Sequence, residues 1–325
     1  MCSENIWLDG IMGVVVGDAL GSPAQFSSRE ELKKKPIASM VPCELFNTPA
    51  GSWTDDSSLT LASLDSLLTS DGYDVIQMAE CFAEWLYDGK YTPFGRAYDI
   101  GRGCRIGIGN FSMTRNPLTS GGNDVNNNGN GSLMRIMPLC IYLYIRAKKV
   151  CTSMDEAIYM LHEASGITHR HLRAQMACGI YFFLVKAILD GRDSKTIAEC
   201  MQLGIDEASD YYGRDLMNLS ELANYSRIID ITEFSRTPEK NIRTSGYVVD
   251  TLEAAIWNAI TTTSYKECLI QAVNLGDDAD TVGAIAGGLA GLYYGCDAIP
   301  DEWVNELQRV EWIKEMCEQA EKKFA

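Results

Sequence analysis

A chain of 325 residues with 46% apolar and 22% charged side chains has the composition of a soluble globular protein with a sizeable core, in one large domain or two ordinary ones. The formal net charge of -16 and the lack of a basic patch argue against nucleic acid as a partner, because binding a phosphate backbone relies on Lys and Arg displacing counterions. Eleven cysteines without a C-x-x-C pair, and a start Met1-Cys2-Ser3-Glu4-Asn5 with neither basic nor apolar leader character, predict a cytoplasmic chain with no disulfide framework, zinc knuckle or membrane anchor.

In chain order, apolar residues recurring at i, i+3 and i+4 predict helices at about 6–20, 55–68, 74–88, 134–147, 154–164, 170–190, 194–211, 247–262, 264–274, 280–294 and 301–323. Strand-like alternation is nearly absent, so the predicted class is all-α. The stretch Gly89 to Gly131, rich in glycine and asparagine, reads as irregular, and a segment that long inside a domain is usually functional or disordered. The apolar run Thr281 to Gly295 is too short for a bilayer and starts among aspartates, so it reads as a core helix.

Two predicted helices carry a glycine every fourth residue: Gly13, Gly17 and Gly21 near the start, and Gly283, Gly287, Gly291 and Gly295 near the end. Glycine inside a helix costs about 1 kcal/mol against alanine. Close backbone approach between helices would justify that cost. If the two stripes meet, the chain's ends share one core, and a two-domain split becomes untenable.

Two acidic clusters carry threonine: Thr54-Asp55-Asp56 and Asp278-Ala279-Asp280-Thr281. Each sits at a predicted helix start, where the ordinary account is N-capping. Five carboxylates, counting Asp277, and two hydroxyls exceed what two caps need, and such crowding favours a cation. All donors are hard oxygens, and with His162, His169 and His171 as the only histidines there is no H-E-x-x-H motif. Mg2+ or Mn2+ therefore fits better than zinc. A second motif, Asn128-Gly129-Asn130-Gly131-Ser132-Leu133-Met134-Arg135, runs into a helix expected to begin near Met134. It reads either as an anion-binding helix start suited to a pyrophosphate or as a flexible loop capped by Ser132.

The sequence resembles the ADP-ribosylglycohydrolase family. Five motifs match in family order: Gly17-Asp18-Ala19-Leu20-Gly21, Trp53-Thr54-Asp55-Asp56, Tyr98-Asp99-Ile100-Gly101, Gly129-Asn130-Gly131-Ser132-Leu133-Met134-Arg135 and Gly276-Asp277-Asp278-Ala279-Asp280-Thr281. The resemblance implies one compact all-α domain over residues 1–325 with two Mg2+ or Mn2+ ions, held by Thr54, Asp55, Asp56, Asp278, Asp280 and Thr281. It implies catalytic duty for Asp99, Asp55 and Asp278, with Asp99 acting on the target side chain as base or guanidinium partner. Asn130, Gly131, Ser132, Leu133 and Met134 would contact phosphate and ribose, His169 would lie near the ligand, and Tyr247 would flank the nucleotide.

Gln25 stands where several members carry glutamate, which points away from serine-type or polymer-cleaving chemistry. The implied reaction hydrolyses the glycosidic bond between ADP-ribose and a side chain of an ADP-ribosylated protein, arginine first, and releases ADP-ribose. The alternatives are an O-linked serine or threonine hydrolase, a non-catalytic crystallin-like relative that binds ADP-ribose, and a metal-dependent phosphoesterase.

Overall fold

The protein was analysed as a computed structural model that describes residues 5–150 and 152–325. Among them no strand forms, only isolated bridges such as Gly129 with Tyr247. The helices are α1 (Ile6–Gly21), α2 (Arg29–Lys34), α3 (Asp55–Ser70), α4 (Val75–Asp88), α5 (Arg102–Thr114), α6 (Met137–Lys149), α7 (Met154–Gly166) and α8 (Leu172–Gly191). They continue as α9 (Ile197–Gly213), α10 (Leu219–Leu222), α11 (Ile231–Phe234), α12 (Val248–Thr261), α13 (Tyr265–Val273), α14 (Ala279–Tyr294), α15 (Asp301–Glu306) and α16 (Val310–Phe324). The described cysteines are free and nearly all buried; Cys2 and Cys151 lie outside the described residues.

Three expectations are corrected. The stretch expected to be irregular from Gly89 to Gly131 contains α5, a helix of 13 residues. Its glycines at 103, 107 and 109 depress helix propensity, yet Cys104, Gly107, Ile108 and Phe111 form one buried face at helical spacing. Helix α6 begins at Met137 rather than near Met134. The single helix expected over 301–323 is broken: Arg309 takes φ +51, the Gln308 N–H donates to Gly51 O at 3.0 Å, and the Arg309 guanidinium lies 3.8 Å over the Trp312 ring.

The glycine stripes of α1 and α14 meet, and the two helices run antiparallel. A Cβ on Gly17 would stand 2.0 Å from Gly283 O, one on Gly13 2.2 Å from Gly287 O, and one on Gly291 2.3 Å from Asp9 O. Gly21 lies against the start of α14, where its Cβ would stand 2.5 Å from the Asp280 Cα. Gly295, counted in the stripe from sequence, instead ends α14 at φ +83. The ends of the chain therefore share one core, into which α8 is also sunk. That helix is long and apolar enough to cross a membrane by composition, but 72% of its apolar window is buried inside the protein.

Two outcomes follow for stability. Gly17→Ala should destabilise by ~3 kcal/mol or more, because overpacking against backbone outweighs the ~1 kcal/mol propensity gain. Gly109→Ala, in a helix where the nearest atom to the new Cβ is 3.9 Å away, should instead stabilise; urea denaturation of both variants reads the two signs.

The second outcome concerns His162, which stacks on Tyr212 with the rings 3° from parallel and shares a 2.8 Å hydrogen bond with its hydroxyl. Burial pulls the imidazole from 6.5 down to about 4. The unfolded chain therefore takes up this proton first as pH falls, and the contribution is complete above 6.5 and lost as pH drops through 4. The stability advantage of wild type over His162→Gln should shrink by up to ~3 kcal/mol across that window, measured by denaturation at stepped pH.

Candidate functional site

The site grows from a turn. Trp53 is pinned by its indole N–H to Tyr91 O at 3.2 Å, and Thr54 N-caps α3. Asp18, fully buried in the middle of the first family-like motif, accepts from the N–H and hydroxyl of both Thr54 and Ser57, at 2.5–3.0 Å. Four donors on one carboxylate fix how Thr54, Asp55 and Asp56 leave the turn. Tyr98 donates its hydroxyl to Trp53 O, which ties the next segment to the same turn. Asp99 follows at φ +52.

The second cluster arrives by the glycine contact. Asp278 stands at the N-cap position of α14 but makes no capping bond. Its carboxylate instead accepts from the Asn130 amide at 2.5 Å and the Thr281 hydroxyl at 3.2 Å. Thr281 also reaches Asp56 at 3.3 Å, so both clusters converge on one point. One carboxylate oxygen each from Asp18, Asp56 and Asp280 lie within 4.8 Å of one another. Asp56 Oδ2 and Asp280 Oδ1 are buried with no hydrogen-bond partner.

Burial, reinforced by neighbouring carboxylates, pushes Asp55, Asp56 and Asp280 well above the usual carboxylate range. Asp18 is pushed up to about 6, burial outweighing its four donors. Two orphaned oxygens among buried anions are costly unless a cation or proton meets them. The donor set, hard oxygens whose main charged neighbours among the described residues are other carboxylates, fits a divalent hard cation. Capping accounts for Thr54 and leaves the rest unexplained.

Beside the cluster opens a cleft of about 490 Å³ lined by Gln25, Phe26, Asp55, Asp99, Asp277, Asp278 and Thr281, within the ~300–1,000 Å³ of small-molecule sites. The N-terminus of α5, Gly101 to Cys104, lines it as well, with Gly129, Asn130, Gly131, Met134 and His169. Gly101, the N-cap of α5, has no side chain to cap the helix, and its own N–H donates to Asp55 Oδ2 at 3.5 Å; the N–H groups of the first turn lie at the cleft, an arrangement that attracts anions. A Cβ on Gly103 would meet His169 Nε2 at 2.5 Å, so glycine here lets the imidazole sit directly over the helix start. Behind it, Thr168 Oγ1 contacts His169 Nδ1 at 2.9 Å and takes a bond from buried Arg135 at 2.7 Å. Burial, and then the Arg135 charge, pull His169 down to about 3, so it is a neutral imidazole.

Of the residues singled out from sequence, the structure gathers Gln25, Thr54, Asp55, Asp56, Asp99, Asn130, Gly131, Met134, His169, Asp278, Asp280 and Thr281 around this cleft and the cluster beside it. It does not bring Ser132 and Leu133 to the surface: both are buried, and the Ser132 hydroxyl is taken by Ser165 at 2.9 Å. Tyr247 is absent from the lining, its hydroxyl accepting from Arg173 at 3.0 Å. The glycine-rich loop is not the expected helix start, since Leu133 and Met134 N–H groups are spent on Asn130 O. Gly131 is required by Cys104 Sγ and His169 Cε1, which a Cβ would meet at 2.8 and 2.9 Å.

Sequence reasoning missed Asp18 and the α5 wall. A charged residue within an otherwise apolar helix, where Asp9 and Asp18 are the two, was a signal for the first, and Cys104, Ile108 and Phe111 at i, i+4 and i+7 for the second.

Comparison with known proteins follows the same lines. A family model described as ADP-ribosylglycohydrolase matches residues 6–325. An ADP-ribosylarginine hydrolase of Pseudomonas putida is 30% identical over 310 residues, covering 95% of this chain and 76% of that protein. The ADP-ribosyl-[dinitrogen reductase] glycohydrolase of Rhodospirillum rubrum is 30% identical over 305 residues, covering 92% and 89%. A solved structure described as an ADP-ribosylglycohydrolase-related protein complex has a TM-score of 0.79 at 27% identity, over 99% of this chain and 98% of that one. With this ordered set of motifs, this all-helical architecture and a family match along nearly its whole length, the chain belongs to the ADP-ribosylglycohydrolase family.

Proposed function

We propose that this protein hydrolyses the N-glycosidic bond between ADP-ribose and an arginine side chain of a modified protein, with two Mg2+ or Mn2+ ions as cofactors. The observation that carries this reading is the pair of orphaned buried oxygens on Asp56 and Asp280, beside a cleft lined by Asp99 and by the start of α5. The names of the Pseudomonas putida and Rhodospirillum rubrum relatives support the bond type.

Thr54, Asp55, Asp56, Asp278, Asp280 and Thr281 would hold the ions, with Asp18 fixing the Thr54 turn. When bound, such ions supply Lewis acidity and an activated water. The chain's own groups account for the remaining steps. The N–H groups at the start of α5 and the neutral His169 receive the pyrophosphate. Asn130 keeps Asp278 in place through its amide while its own N–H is secured by Gly246 O at 3.0 Å.

Asp99 is oriented by the Gln25 amide at 2.8 Å and pairs with the cationic guanidinium. As the bond from the anomeric carbon to the guanidine nitrogen breaks, positive charge grows on the ribose, and the surrounding carboxylates stabilise it. The hydroxyl of water joins the anomeric carbon. Its proton, collected by Asp99, ends on the departing guanidine, so the products are ADP-ribose and unmodified arginine.

Metal removal by chelation should abolish turnover, and Mg2+ or Mn2+ should restore it and raise the melting temperature, because ions that bind only the folded chain stabilise it. Full turnover after exhaustive chelation would exclude the metal centre. Asp56→Asn should abolish activity. Asp99→Ala should lower the rate on an arginine-linked peptide by roughly 10²-fold with ADP-ribose affinity preserved. Chromatography of the products tests the bond cleaved: release of AMP or phosphate would mean phosphoester cleavage, and preference for serine- or threonine-linked peptides would overturn the arginine assignment.

A further inference from the structure

Phe26 is the largest exposed apolar side chain at the rim of the cleft. The residue is 66% exposed and takes φ +59, a left-handed conformation that costs a non-glycine residue roughly 1 kcal/mol or more. The chain around it is stapled in place: Phe26 N–H donates to Asp277 O at 2.7 Å, and Asp277 N–H to Ser27 O at 2.9 Å. Asp277 itself takes φ +59.

The chemistry around the ring is that of a cation site. Gln25, Asp99, Asp277 and Asp278 line the same cleft as Phe26, and Arg102 is the only Lys or Arg among the lining residues. The Gln25 amide nitrogen faces Asp99, as it must, because a carboxylate only accepts. Its oxygen is therefore left free, and Gln25 Oε1 is buried with no partner. An unpartnered carbonyl acceptor, a carboxylate and an exposed π face together match one group: a planar cation with several N–H donors.

Resting on the arginine reading, we propose that Phe26 is a specificity-determining residue that stacks on the guanidinium of the modified arginine while Gln25 Oε1 and Asp99 take its N–H groups. A serine or threonine linkage offers no cation and no planar donor array to these groups. The stacking exists in the ground state as well as the transition state, so its loss acts on KM more than on kcat.

The test uses the metal-replete protein with an arginine-linked ADP-ribosyl peptide. Phe26→Leu should lower kcat/KM roughly 3- to 30-fold, mainly through KM, with calorimetric affinity for ADP-ribose within about twofold. Phe26→Tyr and Phe26→Trp, which keep a π face, should retain most of the wild-type value. All three inherit the same backbone φ, and melting curves check that they fold. The inference is overturned if Phe26→Leu leaves arginine turnover within about twofold, or if ADP-ribose affinity falls in parallel with turnover, which would make the residue a general cleft wall. Wild type that cleaves a serine-linked but not an arginine-linked peptide overturns the arginine reading itself, a result distinct from either.

Discussion

The contact between the backbones of α1 and α14 is the constraint on which the rest of this molecule depends. Helices that approach through glycine Cα atoms and carbonyls leave no room for a methyl group at Gly13, Gly17 or Gly287. That closeness sets more than packing. Because Gly21 rests on the first turn of α14, the aspartates that begin α14 arrive within reach of Asp18 and of the turn that Asp18 holds. Residues 18, 56 and 280, far apart in the chain, become a group spanning 4.8 Å through one interhelical distance.

Assembling carboxylates out of water works against stability, since burial raises the free energy of each charge and each neighbour raises it further. The chain meets this unevenly. Asp18 is saturated with donors, whereas Asp56 and Asp280 each keep one oxygen bare. A purely structural network would have satisfied all three or used apolar residues instead. The unevenness separates a supporting carboxylate from ones reserved for something the chain itself does not provide.

How much of this could be read from sequence depended on whether the signal was local. Helices with an apolar face, such as α4 and α8, and the meeting of the glycine stripes were legible, because period and spacing are properties of the chain alone. The acidic clusters were legible as excess charge. Helix α5 was hidden because its glycines, which count against a helix locally, are demanded by tertiary neighbours: His169 over Gly103, and the Ile167 carbonyl over Gly107. The loop at Asn130 reads in sequence as a glycine-rich approach to a helix start; in the structure the N–H groups of Asn130, Leu133 and Met134 are bonded to Gly246 O and Asn130 O, and the helix start that lines the cleft is that of α5. The helix expected to run through Arg309 is broken there by distant partners, the Gln308 N–H bonding Gly51 O and the Arg309 guanidinium lying over the Trp312 ring.

The cleft brings opposite charges close together. Asp55, Asp99, Asp277 and Asp278 line it beside the start of α5 and a histidine that burial keeps neutral. A uniformly anionic ligand would be repelled by the carboxylates, and a uniformly cationic one by the positive end of the helix dipole. A ligand that carries charge of both signs meets both, and a pyrophosphate joined through ribose to a guanidinium, the substrate class proposed above, is of that kind.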